Sequence, residues 1–559
     1  MEQIQMVKAA AAKKRTLIDR SEKPVSAADL TKALRDRLTP EIVIGLVGPV
    51  ASGVSTSGRI LREVISTTYG YEVNPIRMSG LIEKNADLVG GHQPNGLAAA
   101  ERIQLLQDVG SKLRERFGSS ILAAKAIEVI AVERGKSGFE DEEFQEPKRI
   151  RRVHIVDSIK NPQEAALFRS VYGSAFWLVG VFAPRDLRKK RLERNGSAAD
   201  VAEQIIQRDE HEGPEHGQDV RETFFGSDYF LKNAGGNEES LKASVRRLLT
   251  CIFEDSIVTP TADERGIAYA KQAAASSACM SRQVGAIIVD ADHSVIGQGW
   301  NEVPRPMGGV YSERDGDRDA RCFKHGTKIC HNDDRKEKLY VEIAREFGGL
   351  LSGEAFERAI RAVLEAEGAS PEIARKIVAA AQVETNGEHI RSVLRKTGVK
   401  SLIEFSRSVH AEMAAIVDVA RTGRGGVKGS TMFVTTFPCH NCARHIIASG
   451  VERVVYIEPY PKSLAIDLHD DAIHDLTFTE KHEGDSKRVR FEPFEGVGPA
   501  RYFAVFLMED ERKESGRYKD RQPSQKLPAD AESLDAFATL EKRVIEHLQD
   551  IESSEGNRT

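Results

Sequence analysis

Residues 432–442, Met-Phe-Val-Thr-Thr-Phe-Pro-Cys-His-Asn-Cys, read as a strand, a turn and the first residues of a helix. β-Branched and apolar residues fill the first five positions, which is typical of a buried strand. Pro438 then stands where a helix commonly begins. A second apolar run follows at 454–457, and a helical segment around residue 410 precedes the first strand. This alternation of strands and helices predicts an α/β fold with a largely parallel sheet.

Three potential metal ligands and one carboxylate lie in this region. They are His410, Cys439 and Cys442, with Glu412 two residues after the histidine. Imidazole and thiolate are the ligands that zinc prefers, and a catalytic zinc keeps one position for water. The pattern H-x-E…P-C-x-x-C is the signature of zinc-dependent nucleobase deaminases, so this region resembles that class of enzyme.

That resemblance implies a role for each of the four side chains. The histidine and the two cysteines bind Zn²⁺, and Glu412 takes a proton from a coordinated water and passes it to N3 of a cytosine. The water oxygen attacks C4, and Glu412 then protonates the departing ammonia. The alternative is a closed structural zinc finger, in which His440 or His445 is the fourth ligand and Glu412 is an ordinary helix carboxylate.

Two further segments resemble the first strands of deoxycytidylate deaminases. They are Ser-Arg-Gln-Val-Gly-Ala at 281–286 and Gly-Gln-Gly-Trp-Asn-Glu-Val-Pro at 297–304, and the resemblance then covers roughly residues 262–509. It implies that Asn301 contacts the sugar of the substrate. It also implies that Arg282 holds phosphate or shapes the pocket. The alternative for Asn301 is a turn residue, a common use of asparagine.

An insertion from about 304 to 405 interrupts this region and contains four potential metal ligands within ten residues. These residues are Cys322, His325, Cys330 and His331. Deoxycytidylate deaminases often carry a second, structural zinc nearby, so the resemblance makes a second metal site a hypothesis. A loop with two free thiols is the alternative. The rest of the insertion shows the apolar spacing of amphipathic helices, which indicates packing or an oligomer contact.

A separate α/β domain is expected at residues 41–250. The apolar run Ile42–Val47 leads into a G-x-x-x-x-G-x-S turn and a helix, the arrangement of a P-loop in a kinase-like parallel sheet. The residues predicted to bind a nucleotide with Mg²⁺ are Gly48, Ser52, Gly53, Ser55 and Asp157. Val54 occupies the position of the usual lysine, which argues against efficient phosphoryl transfer. A structural loop in a vestigial fold is the alternative.

The whole chain resembles bacterial antiviral deoxycytidine-nucleotide deaminases of the AvcD or DcdV type. These pair a P-loop kinase-like domain with a cytidine-deaminase-like α/β/α sandwich. The segments at 156–162 and 493–499, Val-Asp-Ser-Ile-Lys-Asn-Pro and Pro-Phe-Glu-Gly-Val-Gly-Pro, are similar to that group. The resemblance implies conversion of dCMP and dCTP to dUMP and dUTP, depletion of dCTP during phage infection, assembly as a homo-oligomer such as a hexamer, and control by a short inhibitory RNA.

Composition narrows the alternatives. The chain has 559 residues, 6% aromatic residues and a formal net charge of −5, which weakens the case for a deaminase that acts on polymer DNA or RNA. A P-loop nucleotide-sensing regulator with a structural zinc would leave Glu412 without a role. Six cysteines, two of them in the C-x-x-C, and the lack of a long apolar run favour a cytoplasmic protein that spans no membrane.

The two ends of the chain are expected to lie outside both domains. Residues 1–40 are predicted to form a charged helical arm, and residues 510–559 a charged linker followed by an amphipathic helix from about 529 to 548. The last strand of the second domain is predicted near 501–507, where Arg-Tyr-Phe-Ala-Val-Phe-Leu is mostly apolar.

Overall fold

The computed structural model describes most of residues 38–556. The segments that it does not describe are 1–37, 93–95, 136–149, 212–218, 234–237, 352–353, 367–369, 371, 374–375, 377–386, 461–462, 476–486, 508–511, 520–521, 524–527, 530 and 557–559. The predicted N-terminal arm therefore lies almost entirely outside the described residues. None of the described helices is both long and apolar enough to cross a bilayer.

The strands form two six-stranded sheets and one short hairpin. In chain order they are β1 (Ile42–Val47), β2 (Glu72–Arg77), β3 (Arg152–Asp157), β4 (Phe176–Phe182), β5 (Tyr229–Lys232), β6 (Gly285–Val289), β7 (Val295–Trp300), β8 (Thr431–Thr436), β9 (Arg453–Glu458), β10 (Ile473–Asp475), β11 (Val489–Pro493), β12 (Gly496–Val497), β13 (Lys513–Glu514) and β14 (Arg517–Tyr518).

The helices connect and cover these strands. In chain order they are α1 (Val54–Val64), α2 (Met78–Lys84), α3 (Ala99–Phe117), α4 (Ile121–Gly135), α5 (Pro162–Tyr172), α6 (Arg185–Arg194), α7 (Ala199–His211), α8 (Val220–Phe225), α9 (Glu238–Phe253), α10 (Ala262–Ala274), α11 (His331–Leu351), α12 (Glu354–Ala366), α13 (Gly387–Leu394), α14 (Ala411–Thr422), α15 (His440–Ser449), α16 (Ala465–Leu468), α17 (Tyr502–Phe506) and α18 (Leu534–Gly556). The remaining described helical turns are a π-helical turn at Ile65–Tyr69 and 3₁₀ turns at Ala86–Val89, Gly173–Ala175, Glu313–Arg318 and Gly398–Ser401.

The first sheet has the strand order β12-β5-β4-β1-β3-β2, and its five N-terminal strands are parallel. Every residue of β1 is buried, because helices cover both faces of the sheet and leave no solvent-facing side for polar residues. The carboxyl end of β1 leads directly into the predicted P-loop, which α1 follows. The expected parallel α/β unit is therefore present.

The second sheet has the order β10-β11-β9-β8-β6-β7. Strand β6 runs antiparallel to both of its neighbours, whereas β8, β9, β11 and β10 are parallel to one another. Helix α10 packs on one face against β6 and β8, and α14 packs on the other against β7. The mixed α/β architecture predicted for the second unit is therefore confirmed.

The two units share apolar contacts and one sheet edge. Strand β12 lies after the second sheet in sequence but pairs antiparallel with β5 of the first. Beside it, the rings of Phe230 and Phe494 lie 5.6 Å apart between centroids. The second unit therefore contributes the outermost strand of the first sheet.

The prediction of a final strand near 501–507 is wrong. Residues Tyr502–Phe506 form helix α17, in which the rings of Tyr502 and Phe506 contact each other one turn apart at 5.0 Å. Phe503 and Leu507 are exposed, so this segment does not cover a buried sheet face. The short strands β10 and β11 complete that edge of the sheet instead. An almost uniformly apolar run has no period that could distinguish a strand from a helix.

The C-terminal helix was predicted at about 529–548 and runs from Leu534 to Gly556. It packs on α4 and α5 of the first unit, and both Phe537 and Leu548 are buried. Within the predicted linker, β13 and β14 form a small exposed hairpin.

Candidate active site

Two helices begin at the predicted metal ligands. Helix α14 starts directly after His410, and α15 starts directly after Cys439, which follows β8 through Phe437 and Pro438. Cys442 lies in the first turn of α15. The N-terminus of a helix carries partial positive charge and unsatisfied N–H groups, which stabilises thiolates placed there.

Two glycines allow α14 to lie directly against β7. A Cβ atom at Gly299 would stand 2.2 Å from the carbonyl oxygen of Ala411, and one at Gly297 would stand 2.5 Å from a methyl carbon of Val419. Larger residues would push the helix away and carry His410 and Glu412 with it. The Gly-Gln-Gly of the predicted second strand therefore has a structural role in positioning the site.

The three predicted zinc ligands meet. Nδ1 of His410 lies 3.3 Å from Sγ of Cys439 and 3.3 Å from Sγ of Cys442. Tetrahedral zinc with ordinary Zn–N and Zn–S bonds would separate such atoms by about 3.6 Å. Across the described residues, these three form the one group of at least three His, Cys, Asp or Glu ligand atoms that all lie within 4.8 Å of one another. The donor set and spacing fit Zn²⁺.

The closed-finger alternative required His440 or His445 as a fourth ligand. Neither joins the three-ligand group, and Nε2 of His440 instead faces Oε1 of Glu404 at 3.8 Å. Three protein ligands with no fourth among the described residues is the pattern of a catalytic zinc centre.

The ligands influence one another's protonation. Hydrogen bonding to Cys442, and secondarily to His410, lowers the pKa of Cys439 to about 4, so this thiol loses its proton easily. The hydrogen bond with Cys439 raises the pKa of His410 to about 9. Burial raises the pKa of the Glu412 carboxyl above its ordinary value. The centre thus combines a ready metal-binding thiolate with a carboxyl group that holds its proton more tightly than usual.

Glu412 and His410 line a cavity of 190 Å³ together with Arg282 and Asn301. The side chain of Asn301 bridges two strand segments, because its Oδ1 accepts a hydrogen bond from Val284 N at 2.8 Å and its Nδ2 donates one to Arg282 O at 2.8 Å. The turn-like structural role considered for this residue therefore coexists with a position on the cavity wall.

Several residues that the sequence reasoning missed also form the wall of this cavity. They include Cys279, Glu302, Phe437 and Tyr460. Glu302 is buried and accepts hydrogen bonds from the backbone N–H groups of Ala278 and Val303. Glu302 lies in the Asn-Glu-Val-Pro segment that resembles deoxycytidylate deaminases, so this segment could have identified it from the sequence. No local pattern marks Tyr460.

The predicted second metal cluster is only partly assembled. Cys322, Cys330 and His331 line the same cavity, as does Cys279, whereas His325 does not. Sγ of Cys330 lies 3.6 Å from Oγ of Ser281. No three ligand atoms of Cys322, His325, Cys330 and His331 come within 4.8 Å of one another. The second metal stays a prediction.

The segment predicted to be a P-loop connects β1 to α1. Oγ of Ser55 donates a hydrogen bond to Oδ2 of Asp157 at 2.8 Å, so the two predicted Mg²⁺-linked groups are adjacent. Gly53 has φ +90°, and a Cβ there would stand 2.0 Å from Nδ2 of Asn233. Val54 is buried, and Ser52 is fully buried. Gly48 O accepts a hydrogen bond from Nζ of Lys160 at 3.0 Å.

A second cavity of 620 Å³ opens beside this loop, at Ser55 and Asp157. Four basic side chains line it, namely Arg59, Arg62, Arg77 and Lys84. The excess of positive charge there suits an anionic ligand.

Comparison with known proteins agrees with the motif of the C-terminal unit. Residues 354–458 match the family described as the cytidine and deoxycytidylate deaminase zinc-binding region. This range contains His410, Glu412, Cys439 and Cys442. It covers part of the second unit and none of the first.

Individual relatives are similar to limited stretches of the chain. The deoxycytidylate deaminase of Enterobacteria phage T2 is 40% identical over 79 residues, which is 14% of this chain and 42% of the phage protein. A UPF0200 protein of Methanosarcina acetivorans is 26% identical over 172 residues, covering 30% of this chain and 75% of the relative. The chain thus spans about two fifths of the length of the phage deaminase. Together the matches support a chain in which a deaminase domain is fused to a second unit.

Among solved structures, the dCMP deaminase of cyanophage S-TIM5 is similar at 17% identity, with a TM-score of 0.21, over 42% of this chain and 100% of the phage protein. Shikimate kinase from Acinetobacter baumannii is similar at 14% identity, with a TM-score of 0.20, over 37% of this chain and 91% of the kinase.

Proposed function

We propose that the C-terminal unit hydrolyses deoxycytidine nucleotides, dCTP and/or dCMP, to deoxyuridine nucleotides and ammonia, with Zn²⁺ as its metal. The observation that carries this proposal is that a buried carboxylate, Glu412, shares one cavity with a three-ligand centre. The family match and the phage deaminase named above support the choice of substrate class.

Glu412 supplies the proton transfers of this reaction. Zinc, when bound, lowers the pKa of a coordinated water toward neutrality. The carboxylate accepts a proton from the attacking water and delivers it to N3 of the cytosine ring, while the water oxygen bonds to C4. It next takes the proton of the hydroxyl now on C4 and delivers it to the amino group, so that the C4–N bond breaks, ammonia leaves and C4 keeps a carbonyl oxygen. Burial raises the pKa of Glu412 and so favours the protonated form that must donate in the later steps.

The other cavity residues hold the nucleotide. Arg282 has a guanidinium group that suits a phosphate, and Asn301, which lines the same cavity, is proposed to contact the sugar. Because its amide bonds two backbone groups, the Asn301 side chain is held in a fixed orientation on the cavity wall. A cavity of 190 Å³ suits a single base with its sugar.

The N-terminal unit is proposed to bind a nucleotide with Mg²⁺ at the P-loop. The adjacent Ser55 and Asp157 support this, since a hydroxyl and a carboxylate are common ligands of P-loop Mg²⁺. The buried Val54 stands where phosphoryl transfer would need a lysine. We therefore propose binding and regulation for this site, without phosphoryl transfer.

On the family resemblance, we also propose that the reaction depletes dCTP in defence against phage. The same resemblance supports a cytoplasmic homo-oligomer, such as a hexamer, and control by a short inhibitory RNA. A second, structural zinc near Cys330 belongs to this set of proposals.

The test of the catalytic proposal is ammonia release by the purified full-length chain with dCMP, dCTP, CMP, CTP and single-stranded DNA side by side. We expect turnover with the deoxycytidine nucleotides. We expect Glu412→Gln to retain zinc and fold and to lose at least about 100-fold in kcat, because general acid–base catalysis contributes about that much or more.

An exposed acidic residue provides the control. Glu452 lies on the surface, where it pairs with Arg490, and Glu452→Gln is expected to match the wild type. Undiminished turnover in a folded Glu412→Gln variant would contradict the assigned role. Turnover of single-stranded DNA, with none of the free nucleotides, would replace the proposal with a polymer deaminase.

A further inference from the structure

The catalytic cavity has a larger neighbour between the two units. This inter-unit cavity has a volume of 470 Å³. Its charged wall residues are Arg185, Arg188, Arg221 and Asp209 of the N-terminal unit and Asp467 and Asp475 of the C-terminal unit. Phe437 and Tyr460 of the C-terminal unit line both cavities, so two side chains form the partition between them.

One carboxylate joins the two sides of this partition. Glu458, the last residue of β9, contacts the guanidinium of Arg282 through Oε1. Nη2 of Arg221, on α8 of the N-terminal unit, lies 3.9 Å from the same oxygen. The other oxygen, Oε2, accepts a hydrogen bond from Thr436 Oγ1 at 3.1 Å. Two arginines from different units therefore share one carboxylate at the edge of the catalytic cavity.

One carboxylate shared by two guanidinium groups leaves a net positive charge among Arg221, Arg282 and Glu458. Burial and, after it, the charge of Arg221 lower the pKa of Arg282, which means that the two like charges lie close enough to repel. The exposed Glu222 acts on Arg282 less strongly than Arg221 does. A phosphate group placed here would relieve the repulsion.

The size of the catalytic cavity indicates which ligand this positive charge suits. A space of 190 Å³ accommodates a base and sugar, so a triphosphate must extend beyond it. Arg282 lies on the wall of the catalytic cavity, and Arg221 lies on the wall of the inter-unit cavity on the other side of Tyr460. Arg407, another guanidinium on the wall, already donates to the carbonyl of Ala320 at 3.3 Å.

We propose that Arg221 binds the terminal phosphates of a deoxycytidine triphosphate whose base lies at Glu412, so that the N-terminal unit selects for phosphate-chain length. This inference rests on the proposed deaminase function. The phosphates replace Glu458 as partner of the two guanidinium groups, which bind phosphate oxygens in pairs. In this assignment the phosphate next to the sugar lies at Arg282, and the phosphates beyond it extend the contact to Arg221.

The test compares kcat/KM for dCTP and for dCMP in the full-length chain. In Arg221→Ala we expect the ratio of the two to fall by about tenfold or more, mainly through KM for dCTP, because a hydrogen bond to a charged group is lost. Arg221→Lys should lie between that variant and the wild type. The matched control is Arg246→Ala, which removes an exposed arginine of α9 that lines neither cavity.

A second variant tests the same contact in the opposite direction. Glu458→Gln removes the competing carboxylate and should lower KM for dCTP more than KM for dCMP. An unchanged dCTP to dCMP ratio in Arg221→Ala, or in Arg221→Lys and Glu458→Gln if the alanine variant does not fold, overturns the assignment of Arg221. If the wild type deaminates neither nucleotide, it is the proposed function that has failed.

Discussion

The position of Glu412 in the sequence is enough to suggest a functional role for this one residue. It is a buried carboxylate on the first turn of a helix, two residues from the candidate metal ligand His410. Burying such a group costs free energy unless a partner or a function retains it. The motif around it was sufficient to predict the residue, because its spacing to His410 is local. The contribution of Tyr460 was not predictable, since that residue reaches the cavity from beyond β9 and no motif marks it.

The ligand set makes a prediction at the same scale. Cys439→Ser replaces a thiolate with a hydroxyl, which is a much weaker zinc ligand, so we expect loss of both the bound zinc and the deaminase activity. Zinc per chain after gel filtration, measured by atomic spectroscopy, is the readout. Full zinc occupancy in the folded serine variant would contradict the assignment.

The same measurement includes two further cysteine variants. Cys251→Ser alters a buried thiol of α9 outside the centre and should keep the zinc content of the wild type. Cys330→Ser should remove one of two zinc ions if the second site exists. One zinc per chain, unchanged in Cys330→Ser, would eliminate the second site.

Individual elements followed their sequence patterns where those patterns were strong. The apolar runs at Ile42–Val47 and Thr431–Thr436 form central strands, and α10 begins at the reciprocal hydrogen bonds between Thr261 and Glu264. The apolar pattern gave the wrong secondary structure at Tyr502–Phe506, because the run is apolar at nearly every position. Contacts in the tertiary structure, which the segment itself does not specify, decided between strand and helix there.

Strand β3 provides a pH-dependent prediction. His154 is fully buried within it, and burial lowers the pKa of its imidazole to about 3. An unfolded histidine has a pKa of about 6.5, so as the pH falls below that value the unfolded chain binds a proton that the folded chain excludes. Stability should therefore fall with decreasing pH, by at most about 1.4 kcal/mol per pH unit from this residue.

The measurement is the free energy of unfolding of wild type and His154→Leu in urea, between about pH 6.5 and about pH 4. The difference between the two proteins should shift in favour of the variant as the pH falls. Titrating groups elsewhere are common to both and cancel. Parallel pH profiles would show that His154 does not hold its neutral form in the folded state.

At the scale of the whole molecule, distant segments of the chain complete the first unit. Strand β12 extends its sheet, and α18 covers its helices near the C-terminus. Arg134 of α4 pairs with Glu41 beside β1 and with Glu541 of α18, so three segments meet at one buried guanidinium. The predicted boundary at residue 510 therefore separates stretches of sequence but not independent bodies.

This arrangement predicts that the C-terminal helix stabilises the N-terminal unit. Phe537→Ala removes a ring that is 2% exposed and packs edge-on to Tyr172. We expect the free energy of unfolding to fall by about 3–5 kcal/mol, the usual cost of such a buried truncation. Chemical denaturation monitored by circular dichroism measures it.

An exposed phenylalanine gives the comparison. Phe503 is 68% exposed, so Phe503→Ala should change the free energy of unfolding by no more than about 0.5 kcal/mol. Equal effects of the two substitutions would show that α18 does not dock through Phe537.

The sequence by itself determined the two α/β units, the strand-to-helix turn after Val47 and the candidate zinc-ligand set with Glu412, because each depends mainly on local patterns in the chain. Only the tertiary structure decided that β12 and α18 complete the first unit, and that Arg221 and Arg282 meet at Glu458. Those contacts join residues separated by long stretches of chain. Their energies come from burial and charge in three dimensions, which no local pattern encodes.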